Sequence, residues 1–225
     1  MFTIDVFSDL VCPWCYIGSR RLKQAVGIVE ERTGATFQVR YHAFELNPDM
    51  PPEGMDRRTY RSAKFGSWER SRQLDHGTVL AGRGDGITFD YDAITRTPNT
   101  RAGHRLIALA EREAALGAVM ADRLFAAYFS EGHDIGDPAV LARLGEETGL
   151  TAGVAARLDD PALETAVREE EELAGQMGLR GVPLFILGDR AVNGAVKVEH
   201  LVEALEQQAT EPPAGATCEE GVCSL

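Results

Sequence analysis

The stretch SDLVCPWCYIG at residues 8–18 places two cysteines, Cys12 and Cys15, on either side of Pro13 and Trp14. This C-x-x-C spacing is shared by half of a zinc site, by a structural disulfide and by a disulfide that is made and broken during catalysis. The surrounding sequence is therefore needed to tell which of these three the pair forms.

The sequence on either side of the pair predicts a strand, a helix and a second strand. Residues 2–7 alternate apolar and polar side chains, the period of a strand, whereas apolar residues after Tyr16 recur at the spacing of one helix face. Gly34 is typical of a helix end, and residues 37–43 alternate again. Two strands joined by a helix favour a parallel pair with a right-handed connection.

The middle of the chain predicts mainly helices. Residues 46–58 form a Pro-rich stretch that we expect to be an irregular loop, and a helix is expected within residues 67–82. Residues 86–92, GITFDYD, are expected to be a short extended segment. The signals for later helix starts are Asn99 or Thr100, Asp137–Pro138 and Asp160–Pro161, and those for helix ends are Gly149 and Gly178.

Strand signals return near the end of the chain. Residues 181–189 and 190–196 are short apolar runs separated at a Gly-Asp-Arg turn, which indicates a hairpin, and residues 197–210 have the pattern of an amphipathic helix. We therefore predict an α/β fold whose sheet is built from residues 1–45 and 180–210. A helical domain, residues 46–179, is inserted between these two parts.

The last segment, residues 211–225, is predicted to be a flexible tail. It is rich in Pro and Gly and carries a second pair of cysteines, Cys218 and Cys223. A disulfide between these two would close a small ring and add little stability.

Composition excludes several classes of function. The 225 residues carry a formal net charge of −12, so a nucleic-acid or anionic-membrane surface is not expected. No apolar run approaches the ~18 residues of a membrane span, and the N-terminal residues lack the features of a signal peptide. We therefore expect a cytoplasmic protein, in a compartment where a permanent structural disulfide is disfavoured.

The predicted position of Cys12 suits redox chemistry. Unpaired N–H groups and the positive end of the dipole at a helix N-terminus stabilise a thiolate, which is the nucleophilic form of cysteine. Cys15 lies one turn further on, close enough to form a disulfide and less accessible. Cys12 is then the attacking thiol and Cys15 the resolving one, and Pro13 costs the first helical turn little.

Three blocks of sequence resemble the DsbA family of thiol–disulfide oxidoreductases in the thioredoxin-like superfamily, in particular its cytoplasmic FrnE-like branch. They are residues 8–18, TPNTRAGHRLI at 97–107 and GVPLFIL at 181–187. The resemblance spans nearly the whole chain and implies a thioredoxin-like fold with a large inserted all-helical domain. It also implies that Pro183 is a cis-proline facing the disulfide, with the backbone of Val182 free to hold an extended substrate.

The resemblance further implies a thiol–disulfide reductase or isomerase that acts on protein or peptide substrates. Cys12 is its nucleophile and Cys15 its resolving thiol. It needs no metal and no organic cofactor, with glutathione as a reductant, and its oligomeric state stays open. Trp14 cannot supply the positive charge of a protonated histidine between the cysteines, so we expect a site less oxidising than that of DsbA itself.

Three other interpretations stay open. The four cysteines suit a zinc site, because zinc tolerates both spacings. A glutathione-dependent isomerase or transferase of the same fold is a second alternative, although those relatives place Ser where Cys12 stands. The groove beside Trp14 and Pro183 also suits a holdase that only binds unfolded peptide.

The remaining candidate residues lie outside the cysteine motif. Asn99, Thr100 and His104 are interpreted as a helix cap and a structural histidine, or as part of a substrate groove. Cys218 and Cys223 are predicted to be an auxiliary redox pair, because a flexible arm raises the effective concentration of its thiols near another site. FrnE-like proteins carry such a second motif. An inert pair or a weak metal clip is the alternative.

Overall fold

The computed structural model describes residues 1–210 and the backbone of two short strands beyond them. The strands are β1 Phe2–Ser8, β2 Phe37–Ala43, β3 Met55–Asp56, β4 Arg96–Thr97, β5 Leu184–Leu187, β6 Arg190–Asn193, β7 Thr217–Glu219 and β8 Val222–Ser224. The helices are α1 Pro13–Thr33, α2 Arg57–Phe65, α3 Trp68–Gly82, α4 Arg101–Ala114, α5 Gly117–Phe129, α6 Pro138–Thr148, α7 Val154–Leu158, α8 Pro161–Gln176 and α9 Val198–Thr210.

Both ends of the chain build one sheet, with strand order β2-β1-β5-β6. β1 pairs in parallel with β2 through the α1 crossover and antiparallel with β5, and β5 continues antiparallel into β6. Ile4 and Phe185 are fully buried on the face that packs against α1 and α9. Phe7 and Leu184 pack with Ala174 of α8 on a second, smaller cluster. The predicted α/β fold is confirmed, and the strands of its sheet come from both ends of the chain.

Helices α2–α8 lie between β2 and β5, so the predicted helical insertion is confirmed. Its core is formed by residues that are fully buried, among them Leu106, Leu109, Met120, Leu124 and Phe125. The same cluster includes Cys12, Cys15 and Tyr16 from the start of α1. The cysteine pair therefore lies where the sheet domain meets the helical insertion.

The structure refines two local predictions in the insertion. The loop predicted at residues 46–58 ends in β3 and the start of α2, because the Asp56 side chain accepts a hydrogen bond from the backbone N–H of Thr59 and caps that helix. Residues 86–92 form no strand. Phe89 and Tyr91 instead stack on each other at 5.1 Å and pack edge-on against Phe129, so that aromatic packing holds the segment without a sheet partner.

Several predicted helix starts and ends are confirmed. Asp137 and Asp160 each accept a hydrogen bond from a backbone N–H at the start of their helix, next to a proline in its first turn. Gly149 caps α6 in a left-handed conformation. The predicted helix within residues 67–82 is α3, capped by Ser67.

The predicted tail, residues 211–225, lies mostly outside the described residues. β7 and β8 pair antiparallel, with the backbone of Cys218 opposite that of Cys223. The side chains of these two cysteines are outside the described part of the chain, so their role stays a prediction.

Candidate active site

Cys12 stands at the N-terminus of α1, directly before Pro13 in the first turn. Its carbonyl oxygen accepts hydrogen bonds from the backbone N–H groups of Cys15 at 3.0 Å and Tyr16 at 3.3 Å, so the helix begins at this residue. Both cysteines are free thiols. Cys12 is 6% exposed and Cys15 only 2%, the order expected for an attacking and a resolving thiol.

The pKa values of the two thiols are shifted in opposite directions. A hydrogen bond donated by the Cys15 thiol lowers the pKa of Cys12, helped by the backbone N–H groups of Cys15 and Trp14, although burial and the nearby carboxylate of Asp9 act in the other direction. Burial raises the pKa of Cys15 well above its usual value, and the hydrogen bond to Cys12 adds to the rise. Of the two thiols, Cys12 therefore forms its thiolate the more readily.

The loop before β5 lies directly against this pair. The Val182–Pro183 peptide bond is cis, and the carbonyl oxygen of Val182 is 3.7 Å from Cys12 Sγ. Gly18 of α1 leaves the space that Pro183 and Phe185 occupy, because a Cβ atom built at Gly18 would lie 3.1 Å from one and 2.9 Å from the other. The structure thus brings together all six residues of the predicted core site.

A cleft of ≈ 450 Å³ opens beside Cys12 between the start of α1 and helices α2 and α3. The apolar part of its lining is supplied by Val11, Pro13, Trp14, Leu46, Phe65 and Leu74. Trp14 is 44% exposed and Leu74 38%, although both are large apolar side chains. Exposed apolar side chains grouped around a cleft are typical of a surface that binds another molecule.

The opposite wall of the cleft carries positive charge. Arg61 and Lys64 both line it. Asp75 accepts hydrogen bonds from Arg61 at 2.6 Å and from Arg57 at 2.7 Å, so one carboxylate is shared by two guanidinium groups. The two cations of the lining outnumber its one carboxylate, Asp75, on a protein whose net charge is −12. Arg57, Arg61, Lys64, Leu74 and Asp75 were missed by the sequence reasoning, because nothing in their local pattern differs from an ordinary amphipathic helix.

Asn99, Thr100 and His104, interpreted as a helix cap and a structural histidine or as part of a groove, lie at the start of α4. Asn99 donates to the carbonyl oxygen of Met50 and accepts from the N–H of Arg101, which makes it a helix cap. Thr100 and His104 are each only 4% exposed, and none of the three lines the cleft. Helical periodicity does not say which neighbouring element a helix face meets, so the sequence left both interpretations open.

A metal site receives no support from the described part of the chain. Within it, no group of three or more His, Cys, Asp or Glu side chains is arranged to hold a metal ion. Across the same residues, no helix has both the length and the apolar character needed to cross a membrane.

Comparisons with known proteins agree with this geometry. YwbO of Bacillus subtilis (strain 168), an uncharacterized protein, is 27% identical over 207 residues, which cover 91% of this chain and 96% of YwbO. The crystal structure of the probable DsbA oxidoreductase SCO1869 from Streptomyces coelicolor superimposes with a TM-score of 0.82 at 27% identity, covering 100% and 99% of the two chains. DsbM of Pseudomonas aeruginosa, a cytosolic disulfide reductase solved with GSH, shares the fold at 24% identity, with a TM-score of 0.61 and coverages of 92% and 95%.

The profile of the DSBA-like thioredoxin domain matches residues 3–206, nearly the entire described chain. This span includes the cysteine pair, the helical insertion and the loop of Val182 and Pro183. The fold is accordingly thioredoxin-like with a helical insertion. The protein belongs to the family of DSBA-like thioredoxin domains, whose members are thiol–disulfide oxidoreductases.

Proposed function

We propose that this protein is a cytoplasmic thiol–disulfide oxidoreductase that reduces or isomerises disulfides with the Cys12–Cys15 pair. The observation that carries the proposal is the inequality of the two thiols. The pKa of Cys12 is lowered, mainly by the hydrogen bond from Cys15, and the buried Cys15 keeps its proton. The resemblance of residues 8–18 to the FrnE-like branch supports the cytoplasmic setting.

The reaction consists of two exchanges. The Cys12 thiolate attacks one sulfur of a substrate disulfide, a mixed disulfide forms, and the other substrate sulfur leaves as a thiolate. Cys15 then loses its proton and attacks Cys12 Sγ, which forms the Cys12–Cys15 disulfide and releases the second substrate thiolate. Two electrons pass from the protein to the substrate, and a thiol such as glutathione restores the reduced pair. Neither a metal nor an organic cofactor takes part.

The cleft supports a polypeptide or peptide as the substrate. Trp14 and Leu74 offer apolar contacts, and Arg61 and Lys64 favour a neighbouring carboxylate. Val182, 3.7 Å from the sulfur, offers backbone groups to an extended chain. Glutathione, a tripeptide with two carboxylates, has the size and the charge for the same cleft.

Reduction of insulin with glutathione as the electron donor tests the proposal. We expect the wild-type protein to accelerate the reaction and Cys12→Ser to remove the acceleration. Cys15→Ser retains the first exchange only, so a mixed disulfide through Cys12 accumulates and is identified by mass spectrometry.

Two results would overturn the proposal. One is a wild-type protein that does not accelerate the reduction, and the other is a Cys12→Ser variant that does so equally well. If both proteins instead suppress the aggregation of an unfolded client to the same extent without reducing insulin, the protein is a holdase.

A further inference from the structure

Three buried polar atoms without a hydrogen-bond partner lie behind the cysteine pair. They are Ser8 Oγ, Asp9 Oδ1 and His104 Nε2, on residues that are 3%, 0% and 4% exposed. Asp9 Oδ1 and His104 Nε2 are 3.6 Å apart. Buried polar groups are normally hydrogen-bonded, so three such atoms in one place call for an explanation.

The packing of the chain brings His104 to this place. Gly103 of α4 lies against Leu10, since a Cβ atom there would come within 2.5 Å of a Leu10 methyl group. This close approach sets the next residue, His104, beside Asp9. The other carboxylate oxygen of Asp9 accepts the backbone N–H of Leu46 at 2.7 Å, which fixes its orientation.

A small cavity lies beside two of these groups, Ser8 and His104. Its volume is ≈ 10 Å³, room for about one water molecule, and both Ser8 and His104 line it. His42 and Glu170 also line it, from β2 and α8, but they are engaged with each other at 3.2 Å. Because the second nitrogen of His42 pairs with Asp5, His104 is the histidine of this cavity with a ring nitrogen, Nε2, that makes no hydrogen bond.

Ser8 links the cavity to the buried thiol. Its hydroxyl lies close enough to Cys15 to favour the thiolate, which opposes the rise in the pKa of that thiol, although Ser8 Oγ makes no hydrogen bond of ordinary geometry. Cys15 must lose its proton before it can attack the mixed disulfide, yet it is 2% exposed and hydroxide from solvent has little access to it.

We propose that His104, positioned by Asp9, accepts the proton of the Cys15 thiol through the Ser8 hydroxyl when the mixed disulfide is resolved. This inference rests on the proposed function. The S–H bond of Cys15 breaks, and its electron pair forms the new bond to Cys12 Sγ. The S–S bond between Cys12 and the substrate breaks, and the substrate sulfur leaves with that bond's electron pair. The proton reaches His104 Nε2, where the Asp9 carboxylate stabilises it, and passes later to the departing thiolate or to solvent.

The test separates the two exchanges in time. Reduced protein carrying Cys218→Ser and Cys223→Ser is mixed with dithiobis(nitrobenzoate) in a stopped-flow instrument. The first thionitrobenzoate released reports the attack by Cys12, and the second reports the attack by Cys15. His104→Gln and Asp9→Asn are compared with His42→Gln, which changes another histidine on the same cavity. Thermal unfolding checks that each variant is folded.

We expect His104→Gln to slow the second release by ~10²-fold near neutral pH and to leave the first release within a factor of about two. In that variant the second rate should rise about tenfold per pH unit, because only hydroxide remains to deprotonate Cys15. The protein with His104 should show a shallower dependence on pH. Asp9→Asn should slow the second release as well, and His42→Gln should not.

An unchanged second release in a folded His104→Gln variant, or the same pH dependence with and without His104, would overturn the relay and leave the proposed function intact. If the protein with His104 releases no thionitrobenzoate in either phase, the proposed function fails instead. A folded His42→Gln variant that slows the second release as much as His104→Gln would also count against the relay.

Discussion

Cys12 Sγ lies 3.7 Å from the carbonyl oxygen of Val182, although 170 residues separate the two in the chain. The contact joins the start of α1, in the first part of the sheet domain, to the loop before β5, in its second part. The site is therefore assembled only when both ends of the chain have paired in one sheet. The packing around this contact is the basis of the first prediction.

Gly18→Ala should destabilise the protein and reduce its insulin reductase activity. The new Cβ would lie 2.9 Å from the ring of Phe185 and 3.1 Å from Pro183, so the loop against Cys12 has to move. Overpacking of this kind costs about 1–3 kcal/mol, measured by urea denaturation.

Gly27→Ala is the matched control, because it lies in the same helix with no atom within 4 Å of the added methyl group. It should stabilise the protein by about 0.5–1 kcal/mol and leave activity unchanged. Equal effects of the two substitutions would show that the space at Gly18 is not needed.

Trp14→Ala and Leu74→Ala should each raise the KM for a protein substrate with little change in kcat. Both side chains are exposed apolar groups in the cleft, and removing a buried contact of this kind typically costs about 1–2 kcal/mol of binding, or roughly 5–30-fold in KM. Leu80→Ala is the control, since Leu80 is 51% exposed on the same helix as Leu74 but lies outside the cleft lining. A similar KM for all three variants would place substrate binding elsewhere.

Asp9→Asn should lower the pKa of Cys12 further. The Asp9 carboxylate acts against the Cys12 thiolate, so removing its charge makes that thiolate easier to form. The inflection in the rate of Cys12 alkylation against pH should lie below 9.0 in the wild-type protein and move to still lower pH in the variant. A shift to higher pH would contradict the placement of this charge.

His42→Gln should destabilise the protein at neutral pH but not at high pH. Burial opposes the charge on His42, but hydrogen bonds to Asp5 and Glu170 outweigh it and raise its pKa from 6.5 to about 9. A raised pKa means that the stabilisation is complete below 6.5 and is lost as pH rises through about 9.

Urea denaturation at several pH values should show a deficit of about 1–3 kcal/mol for His42→Gln below neutrality that shrinks toward alkaline pH. His200→Gln, at an exposed position of α9, should show no deficit at either end. A deficit in His42→Gln that is the same at all pH values would rule out a charged His42.

Replacing both Cys218 and Cys223 by serine should slow disulfide isomerisation more than simple reduction. A second thiol pair on a tethered segment competes for substrate sulfurs at an effective concentration of roughly millimolar. The comparison is made with scrambled ribonuclease for isomerisation and insulin for reduction. Unchanged rates in both assays, with the potential of the Cys12–Cys15 pair also unchanged, would leave the second pair without a redox role.

Much of this protein could be predicted from local sequence. The alternation in residues 2–7, the helix start at Cys12–Pro13 and the hairpin after Pro183 each depend on a few neighbouring side chains. Asp137 and Asp160 were likewise predicted as caps, because the capping bonds of each are made within its own helix turn. Those signals are short in range, so the sequence by itself determined the order of the elements and the place of the Cys12–Cys15 pair at the start of α1.

The cleft and the buried relay were decided only by the tertiary structure. Arg61 and Leu74 face Cys12 because α2 and α3 pack beside the start of α1, and no sequence period records that packing. Asp9 and His104 are separated by 95 positions in sequence, yet they meet at 3.6 Å because Gly103 lets α4 approach Leu10 closely. Periodicity assigns a residue to a face of its own element, whereas the neighbour that this face meets depends on how all the elements pack into one core.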